Sequence, residues 1–321
     1  MKTYKYILAI MLGLTVSSMI VSCSEDDGGG ESDRGGDKEI SDDTNRNSNI
    51  ALESTNTDVM RLEVPKIRQG QGIYFRSHWA TKNNSSSDKV MNYCYEYDAS
   101  VYHTRWVAFS FDKLTIKVHA SRSDQWGEDL SLPSNERLAY TSYKGSGYNR
   151  GHLCASQDRV FSTQANAQTF YMSNMSPQMG DFNAYYWAEL ESIIRKWAYN
   201  TDKFKTLYVC KGGTIRADQL KGKIFTTNSK GNPASVAIPK YYFMAILGET
   251  QSDTYQSIGF WMEHKDYGYH NTYPPATVMQ KHVVSIDELE GLTGIDFFCN
   301  LNDKLENNVE KGCNVDAWSW K

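Results

Sequence analysis

The stretch from Tyr148 to Arg195 constrains the fold most, because it joins a glycine-containing turn to an amphipathic helix. It begins YNRGHLCASQDR, where the missing side chain of Gly151 lets a neighbouring segment approach closely. A segment with helical periodicity opens at Phe182 and runs to about Tyr199. At 100° per residue its large apolar side chains form one stripe, which consists of Leu190, Ile194 and Trp197. The pattern predicts a helix that buries this stripe in a core and keeps an adjoining polar rim.

The polar rim of the predicted helix carries side chains that suit phosphate or metal chemistry. Glu191 and Arg195 lie about 80° and 120° around the helix axis from Asn183 when each residue advances by 100°. An Arg-Gly-His tripeptide that ends at His152 precedes the helix, and its guanidinium could hold a phosphate beside the imidazole. These residues are compatible with a metal and phosphate site, although the helix pattern by itself also fits a solvated face.

The remaining sequence predicts one sheet-rich folded unit. The 321 residues are 40% hydrophobic and 13% aromatic, which suffices for a single large core of about 250 residues. Aromatic and β-branched side chains between turn formers predict strands at Asn92–Tyr97 and Arg105–Phe111, with a further short strand at Leu114–Val118. The composition therefore favours a packed body over disorder.

The N-terminus predicts a targeting segment that is not part of the fold. Lys2 and Lys5 precede an apolar run from Ile7 to Val21, whose 15 residues fall short of the roughly 20 that a membrane-spanning helix needs. The run ends in Ile-Val-Ser-Cys, which resembles a bacterial lipobox and would make a lipid-carrying Cys23 the mature N-terminus. An ordinary cleaved signal with an incidental cysteine is the alternative.

An acidic segment after Cys23 predicts a flexible tether. The predicted boundaries are residues 1–22 for the signal peptide, 23–60 for the lipidated cysteine and tether, and 61–321 for the folded domain. Residues 24–43 contain nine acids and two bases, a net charge of −7. When this segment and the two N-terminal lysines are left out, the net charge changes from −4 for the whole chain to +1 for the remainder. The overall acidity is therefore no argument against a polyanionic substrate. The acidic run resembles the surface-export signal of some Gram-negative lipoproteins, and a solvated spacer explains it equally well.

Five cysteines follow Cys23, an odd number that leaves at least one thiol outside any intramolecular disulfide. Two candidate pairs are Cys299 with Cys313, which would close a short loop, and Cys154 with Cys210. The cysteine left over would be an unpaired thiol or form an intermolecular bond.

The sequence around the histidine belongs to a longer series of blocks. The blocks come in this order along the chain: RWVAFSF, YNRGHL, TFYMSNMSPQ, DFNAYYWAELE, YVCKGGT, IPKYYFMAIL and VVSIDELEGLTGIDFF. In this order the blocks resemble the DNA/RNA non-specific endonucleases, the Serratia-type and endonuclease G-type ββα-metal nucleases, over roughly residues 60–310. A lone Arg-Gly-His tripeptide would be weak evidence, whereas the ordered set is specific.

The resemblance implies a role for each of seven polar residues. His152 takes the position of the general base that deprotonates a water for in-line attack on phosphorus. Asn183 takes the position of the direct ligand of a divalent cation, Mg²⁺ or alternatively Mn²⁺, with Glu191 holding the ion through water. Arg150 and Arg195 would contact the phosphate, and Asn174 would help to order the site. Arg122 matches the arginine that the family carries in an upstream loop.

One position departs from the family pattern. The family tetrapeptide is usually Asp-Arg-Gly-His, and here its first residue is Asn149. If an acid there orients His152 or raises its basicity, the asparagine slows catalysis. If the position holds the local turn by hydrogen bonds, asparagine serves as well, and the otherwise complete constellation favours this second explanation.

Together the sequence and the resemblance predict an α+β fold, with a central antiparallel sheet flanked by helices and a ββα-metal finger, that hydrolyses phosphodiester bonds. The expected substrates are DNA and RNA with little sequence preference, because contacts through a metal, arginines and a histidine read only the backbone. A neutral histidine favours activity near or above pH 7. The alternatives are a catalytically weak surface lipoprotein that binds nucleic acid and a phosphodiesterase for smaller substrates. The expected location is the outer membrane, through lipid on Cys23, with surface exposure or the periplasm as the two options.

Overall fold

An antiparallel sheet of seven strands forms the centre of the fold in the computed structural model, which describes residues 44–49 and 56–320. The strands of the described residues are β1 Ile73–Thr81, β2 Lys89–Asp98, β3 His103–Phe111, β4 Asn149–His152, β5 Met175–Gln178, β6 Phe204–Gly213, β7 Leu220–Thr227, β8 Pro233–Pro239, β9 Tyr241–Thr250, β10 Tyr255–Glu263 and β11 Val283–Val284. The central sheet has the order β1-β2-β3-β6-β9-β10-β11, and β4–β5 and β7–β8 form two-stranded ribbons outside it.

Three of the five α-helices of the described residues begin where a short polar side chain caps the first turn. In chain order they are α1 Thr163–Gln168, α2 Ala188–Tyr199, α3 Ala276–Met279, α4 Ile286–Thr293 and α5 Asp303–Lys311. The Ser285 hydroxyl accepts a hydrogen bond from the Glu288 amide at the start of α4, and the Asn302 side chain accepts one from the Leu305 amide at the start of α5. α4 ends at Gly294, whose φ of 65° is a left-handed conformation that glycine adopts without strain.

The central sheet is buried on both faces, which explains the nearly continuous apolar strands in the sequence. Successive side chains of β3 alternate between the two faces. Val107 and Phe109 enter the core that contains α2, while Trp106 and Ala108 enter the core on the other face, with α4 and α5. The strands predicted at Asn92–Tyr97 and Arg105–Phe111 are confirmed within β2 and β3, and so is the α+β class.

The predicted amphipathic helix is confirmed as α2, which packs on one face of the sheet. Its apolar stripe of Leu190, Ile194 and Trp197 is buried against the sheet. Full burial of a large apolar side chain stabilises the fold by about 1.5–3 kcal/mol. This packing fixes the orientation of the helix, and with it the direction of the polar rim.

The short strand predicted at Leu114–Val118 is wrong, because the chain turns there. The Asp112 carboxylate accepts hydrogen bonds from the amides of Leu114 and Thr115, at 2.8 and 2.9 Å. An aspartate that captures amides two and three residues ahead competes with strand pairing and forms a turn instead.

The N-terminal boundary of the folded unit lies earlier than residue 61. Asn49 is buried, and its carboxamide donates hydrogen bonds to the carbonyls of Val59 and Pro65. The described residues 44–49, which fall in the segment predicted as tether, therefore pack against the folded body. The signal peptide and the lipobox at Cys23 lie outside the described residues. Among residues 44–49 and 56–320, no helix combines the length and apolar character that crossing a bilayer requires.

The cysteines of the described residues do not form the two candidate pairs. Cys154 and Cys210 are buried free thiols, and Cys299 is likewise a buried free thiol. Burial raises the pKa of the Cys154 thiol to about 12, which keeps it protonated and chemically inert.

Candidate active site

The β4–β5 ribbon places His152 at one edge of a cleft. In this antiparallel ribbon Gly151 lies opposite Ser176 and His152 lies opposite Met175. A Cβ atom on Gly151 would come within 2.0 Å of Oε1 of Gln178, so the position requires glycine. The close approach inferred from the Arg-Gly-His tripeptide is therefore a packing requirement of the ribbon that carries the histidine.

Two aromatic rings hold the His152 imidazole. Its centroid lies 5.5 Å from that of Trp126 and 4.9 Å from that of Phe170, whose ring stands at 87° to it. The side chain is half-buried and lines the cleft, while its Nε2 atom is enclosed and has no hydrogen-bond partner among the described residues. The ring is therefore oriented by packing.

The environment of His152 favours its neutral form. Burial, followed by the positive charges of Arg122 and Lys211, lowers the pKa of His152 to about 3, against a smaller opposing effect of Asp158. At pH 7 the imidazole is thus neutral and able to accept a proton.

Asn183 lies on a wider helical turn that precedes α2. Residues Phe182–Trp187 form a π-helical turn, so the uniform 100° step used on the sequence does not hold for this part of the segment. Asn183 nevertheless faces the same cleft as His152 and is half-buried. Its carboxamide makes no hydrogen bond with the other described residues, which leaves its oxygen available as a ligand.

A buried cluster of four charges lies behind the cleft. Nζ of Lys211 on β6 lies 3.0 Å from Oε1 of Glu191 and 3.2 Å from Oδ2 of Asp158. The other oxygen of Asp158 accepts a hydrogen bond of 2.8 Å from Nη1 of Arg195. Two carboxylates and two cations therefore balance in charge, and Asp158 fixes the Arg195 guanidinium. Neither Lys211 nor Asp158 was assigned a role from the sequence.

The charges in this cluster are mutually dependent. Burial alone would lower the pKa of Lys211, but Glu191 and Asp158 outweigh burial and raise it, so the ammonium stays charged. Burial raises the pKa of Glu191 in spite of Lys211, because Asp158 adds a like charge. Further positive charge near Glu191 would therefore favour its ionised form.

Two arginines lie on the aromatic rings that flank His152. The guanidinium carbon of Arg150 is 3.8 Å from the Trp126 ring centroid, and that of Arg122 is 4.8 Å from the Phe170 centroid. Arg122 also donates hydrogen bonds to Asp124 and to the Ser156 hydroxyl. These contacts hold the two guanidinium groups in place at the cleft. Each group keeps further N–H donors that can bind an anionic ligand.

Asn174 does not reach the cleft, in contrast to the other predicted site residues. It is fully buried; its Oδ1 accepts from the Cys154 amide, and its Nδ2 donates to the carbonyls of Cys154 and Thr169. All of these contacts are with backbone. Asn174 therefore braces the segment after His152, which is consistent with the ordering role that the resemblance implied.

Asn149 does not hold the local turn through its side chain. It is exposed at the start of β4 and lines the cleft, and its side chain makes no hydrogen bond with other described residues. Its backbone pairs with Gln178 across the ribbon. The turn-holding explanation favoured from the sequence is therefore not supported by the contacts.

One open cleft of about 780 Å³ collects these residues. It is lined by six of the seven predicted site residues: Arg122, Arg150, His152, Asn183, Glu191 and Arg195. The loop before β4 adds lining residues that the sequence reasoning did not single out: Tyr140, Thr141, Tyr143, Lys144 and Tyr148. A neutral base, unpartnered oxygen donors and several cations therefore face one volume large enough for a polymer backbone.

The family model of the DNA/RNA non-specific endonucleases matches residues 74–304. The chain belongs to this family. A nuclease of Nostoc sp. (strain PCC 7120) is 31% identical over 221 residues, which cover 68% of this chain and 75% of that protein. The human mitochondrial nuclease EXOG is 29% identical over 231 residues, or 70% of this chain and 60% of that protein. Family membership makes the protein an endonuclease.

A solved structure supports the fold assignment of this endonuclease. A chain of the EndoG/EndoGI complex, a structure that concerns the inhibition of EndoG, matches with a TM-score of 0.54 at 23% identity. The match covers 70% of this chain and 89% of that chain. In this chain β4, β5 and the helical segment Phe182–Tyr199 form a unit of two strands and a helix, which is the order of elements predicted for the ββα finger.

The donor atoms at the cleft of this endonuclease fit a hard divalent cation. The Asn183 carboxamide is unpartnered, and Glu191 uses Oε1 for Lys211 while Oε2 accepts no hydrogen bond from the described residues. Oxygen donors in small number, together with water and phosphate, suit Mg²⁺. A cation here would also supply the positive charge that favours ionised Glu191.

Proposed function

We propose that this endonuclease hydrolyses phosphodiester bonds of both DNA and RNA with little sequence preference, using Mg²⁺ or alternatively Mn²⁺. One observation carries the proposal: the neutral imidazole of His152 and the unpartnered carboxamide of Asn183 line the same cleft. Arginines at this cleft would neutralise a bound phosphate. The combination supplies a base, an ion ligand and an anion site in one volume.

His152 is the general base in this proposal. Its neutral ring accepts a proton from a water as that water attacks phosphorus, and the packing of Trp126 and Phe170 keeps the ring in one orientation. Asn183 would hold the metal directly, and Glu191 would hold it through water. When bound, the ion supplies positive charge that stabilises the leaving oxygen and the phosphate oxygens.

The arginines and the buried charge cluster position the phosphate. Arg195 is restrained by Asp158, and Arg150 by stacking on Trp126, so both present donors with little freedom left to lose on binding. Preorganised cations stabilise the charge that develops in the transition state more than they stabilise the substrate. Lys211 keeps Glu191 and Asp158 charge-balanced behind the cleft.

Backbone recognition accounts for the proposed breadth of substrate. A metal, a histidine and arginines contact phosphate and sugar, which carry no base information. Because the attraction is between cations and phosphates, affinity should fall as salt concentration rises. Because the body carries almost no net charge, we infer that the attraction comes from the cleft itself, where arginines and Lys144 lie.

A plasmid-nicking assay tests the proposed function. Wild-type protein with Mg²⁺ should relax and then degrade supercoiled DNA, and EDTA should stop the reaction. Asn183→Ala should lose metal-dependent cleavage at an unchanged melting temperature, whereas Asn308→Ala on the exposed side of α5 should cleave normally. Unaltered Mg²⁺ dependence in Asn183→Ala would contradict the proposed ligand, and DNA binding without cleavage by the wild type would contradict catalysis.

We also propose that lipid on Cys23 anchors this endonuclease to the outer membrane. The support is the sequence: two lysines, a 15-residue apolar run and the lipobox-like Ile-Val-Ser-Cys. Cys23→Ser should release the protein from the membrane fraction. Protease shaving of intact cells then separates the two orientations, since a surface domain is degraded and a periplasmic domain is protected.

A further inference from the structure

Three carboxylates converge on the face of the sheet opposite the cleft. Asp287 and Glu290 lie on α4 and Glu310 lies on α5. One oxygen from each lies within 4.8 Å of the others. The two helices belong to the core on the other side of the sheet from α2, so this carboxylate trio is separate from the cleft.

Glu310 is the unusual member of the carboxylate trio. Its residue is 7% exposed, its Oε1 is enclosed, and neither carboxylate oxygen accepts a hydrogen bond from the described residues. Two other buried acids are compensated by cations: Glu96 contacts Arg68 and Arg105, and Glu191 contacts Lys211. A buried, unpartnered carboxylate aimed at two further carboxylates indicates a cation partner.

The surroundings of the trio add negative charge. Within residues 44–49 and 56–320, no Lys, Arg or His forms an ion pair with Asp287, Glu290 or Glu310. The neighbouring acids Asp296 and Glu306 instead contact the neutral Asn47 carboxamide. The buried carboxylate of Glu310 therefore faces other acids and no compensating cation of the described residues.

The donor set favours calcium over magnesium. Three carboxylates from two helices suit Ca²⁺, which accepts oxygen ligands in flexible geometry, whereas Mg²⁺ is usually held by one or two carboxylates and keeps most of its waters. Asp287 is exposed, which leaves room for waters to complete the six to eight ligands that Ca²⁺ takes. We propose that Asp287, Glu290 and Glu310 bind a calcium ion that ties α4 to α5.

Thermal denaturation of the whole protein with and without CaCl₂ tests this site. Calcium at about 100 times its Kd should raise the melting temperature of the EDTA-treated wild type by roughly 5 °C. Glu310→Gln and, independently, the exposed Asp287→Asn should lose this increase and bind one calcium ion fewer by calorimetry. Glu288→Gln, an exposed acid on the same helix, is the matched control and should keep the increase.

Two further comparisons separate the trio from the nuclease cleft and from magnesium. Asn183→Ala should keep the calcium-dependent increase, and Glu310→Gln should keep Mg²⁺-dependent DNA cleavage. The proposal is overturned if the wild type shows no increase, or if Glu310→Gln retains it while Asn183→Ala loses it. An equal increase with MgCl₂ would overturn the assignment to calcium.

Discussion

Replacing Lys211 by Met removes one cation from the buried cluster and should destabilise the fold strongly. Lys211 is 1% exposed in its side chain and lies 3.0 Å from Glu191 and 3.2 Å from Asp158. At an effective dielectric constant of about 20, each contact is worth roughly 5 kcal/mol of Coulomb energy, most of which offsets the cost of burying the charges. Losing one partner of such a cluster leaves a buried carboxylate uncompensated, and the expected loss is about 3–5 kcal/mol in the free energy of unfolding.

Urea denaturation at pH 7.5 measures this loss, and the same strand provides a control. Lys205 on β6 forms an exposed ion pair with Asp253, so Lys205→Met should cost at most about 1 kcal/mol. Lys211→Met combined with Glu191→Gln restores charge balance and should recover more than half of the loss. In the single variant Glu191 can take up a proton, and since its folded pKa is raised, the deficit should shrink as the pH falls toward 5.

The reasoning about the buried cluster is refuted by either of two results. One is a Lys211→Met variant that loses no more stability than Lys205→Met. The other is a double variant, with Glu191→Gln added, that is less stable than the single variant. In either case the four charges would not act as a compensated unit.

Three further predictions concern the ribbon and its histidine. Because the pKa of His152 is lowered to about 3, kcat/KM with Mg²⁺ should change less than about twofold between pH 7 and 5. A histidine with the ordinary pKa of about 6.5 would lose roughly 25-fold over the same range, and a stopped-flow pH profile distinguishes the two outcomes. Gly151→Ala would push a Cβ into Gln178, so it should cost about 1–3 kcal/mol in thermal unfolding and also lower activity, and an unchanged melting temperature would disprove the clash. Asn149→Asp places an exposed charge at the cleft and should alter kcat by no more than about fivefold; a much larger rise would show that asparagine handicaps this enzyme.

The residues of the ββα unit could be located from the sequence through the family resemblance, because the matching blocks place them within fifty positions of one another. His152, Asn183, Glu191 and Arg195 share one local ribbon-and-helix unit, and the apolar stripe of the helix fixes which side chains face outward. Their convergence on one cleft follows from that local geometry. The π-helical turn at Asn183 was not predictable, since periodicity analysis assumes a single helical step.

The supporting residues of the site come from distant parts of the chain, and the sequence reasoning missed them for that reason. Lys211 joins the cluster through the pairing of β6 with β3 and β9, which no local pattern reveals. One signal was present: Lys211 is a single charge in the apolar strand YVCKGG, and a charge in a strand buried on both faces needs a partner. The packing of Trp126 and Phe170 around His152 left no comparable signal.

The most direct test of the account is the single-turnover rate of Mg²⁺-dependent plasmid cleavage by His152→Ala. The account predicts a rate about 10²–10⁴-fold below that of the wild type, with nearly unchanged DNA affinity, because the variant loses the base and keeps the cations of the cleft. A rate within a few-fold of the wild type at the same DNA affinity would contradict the central claim that the neutral imidazole of His152 activates the attacking water.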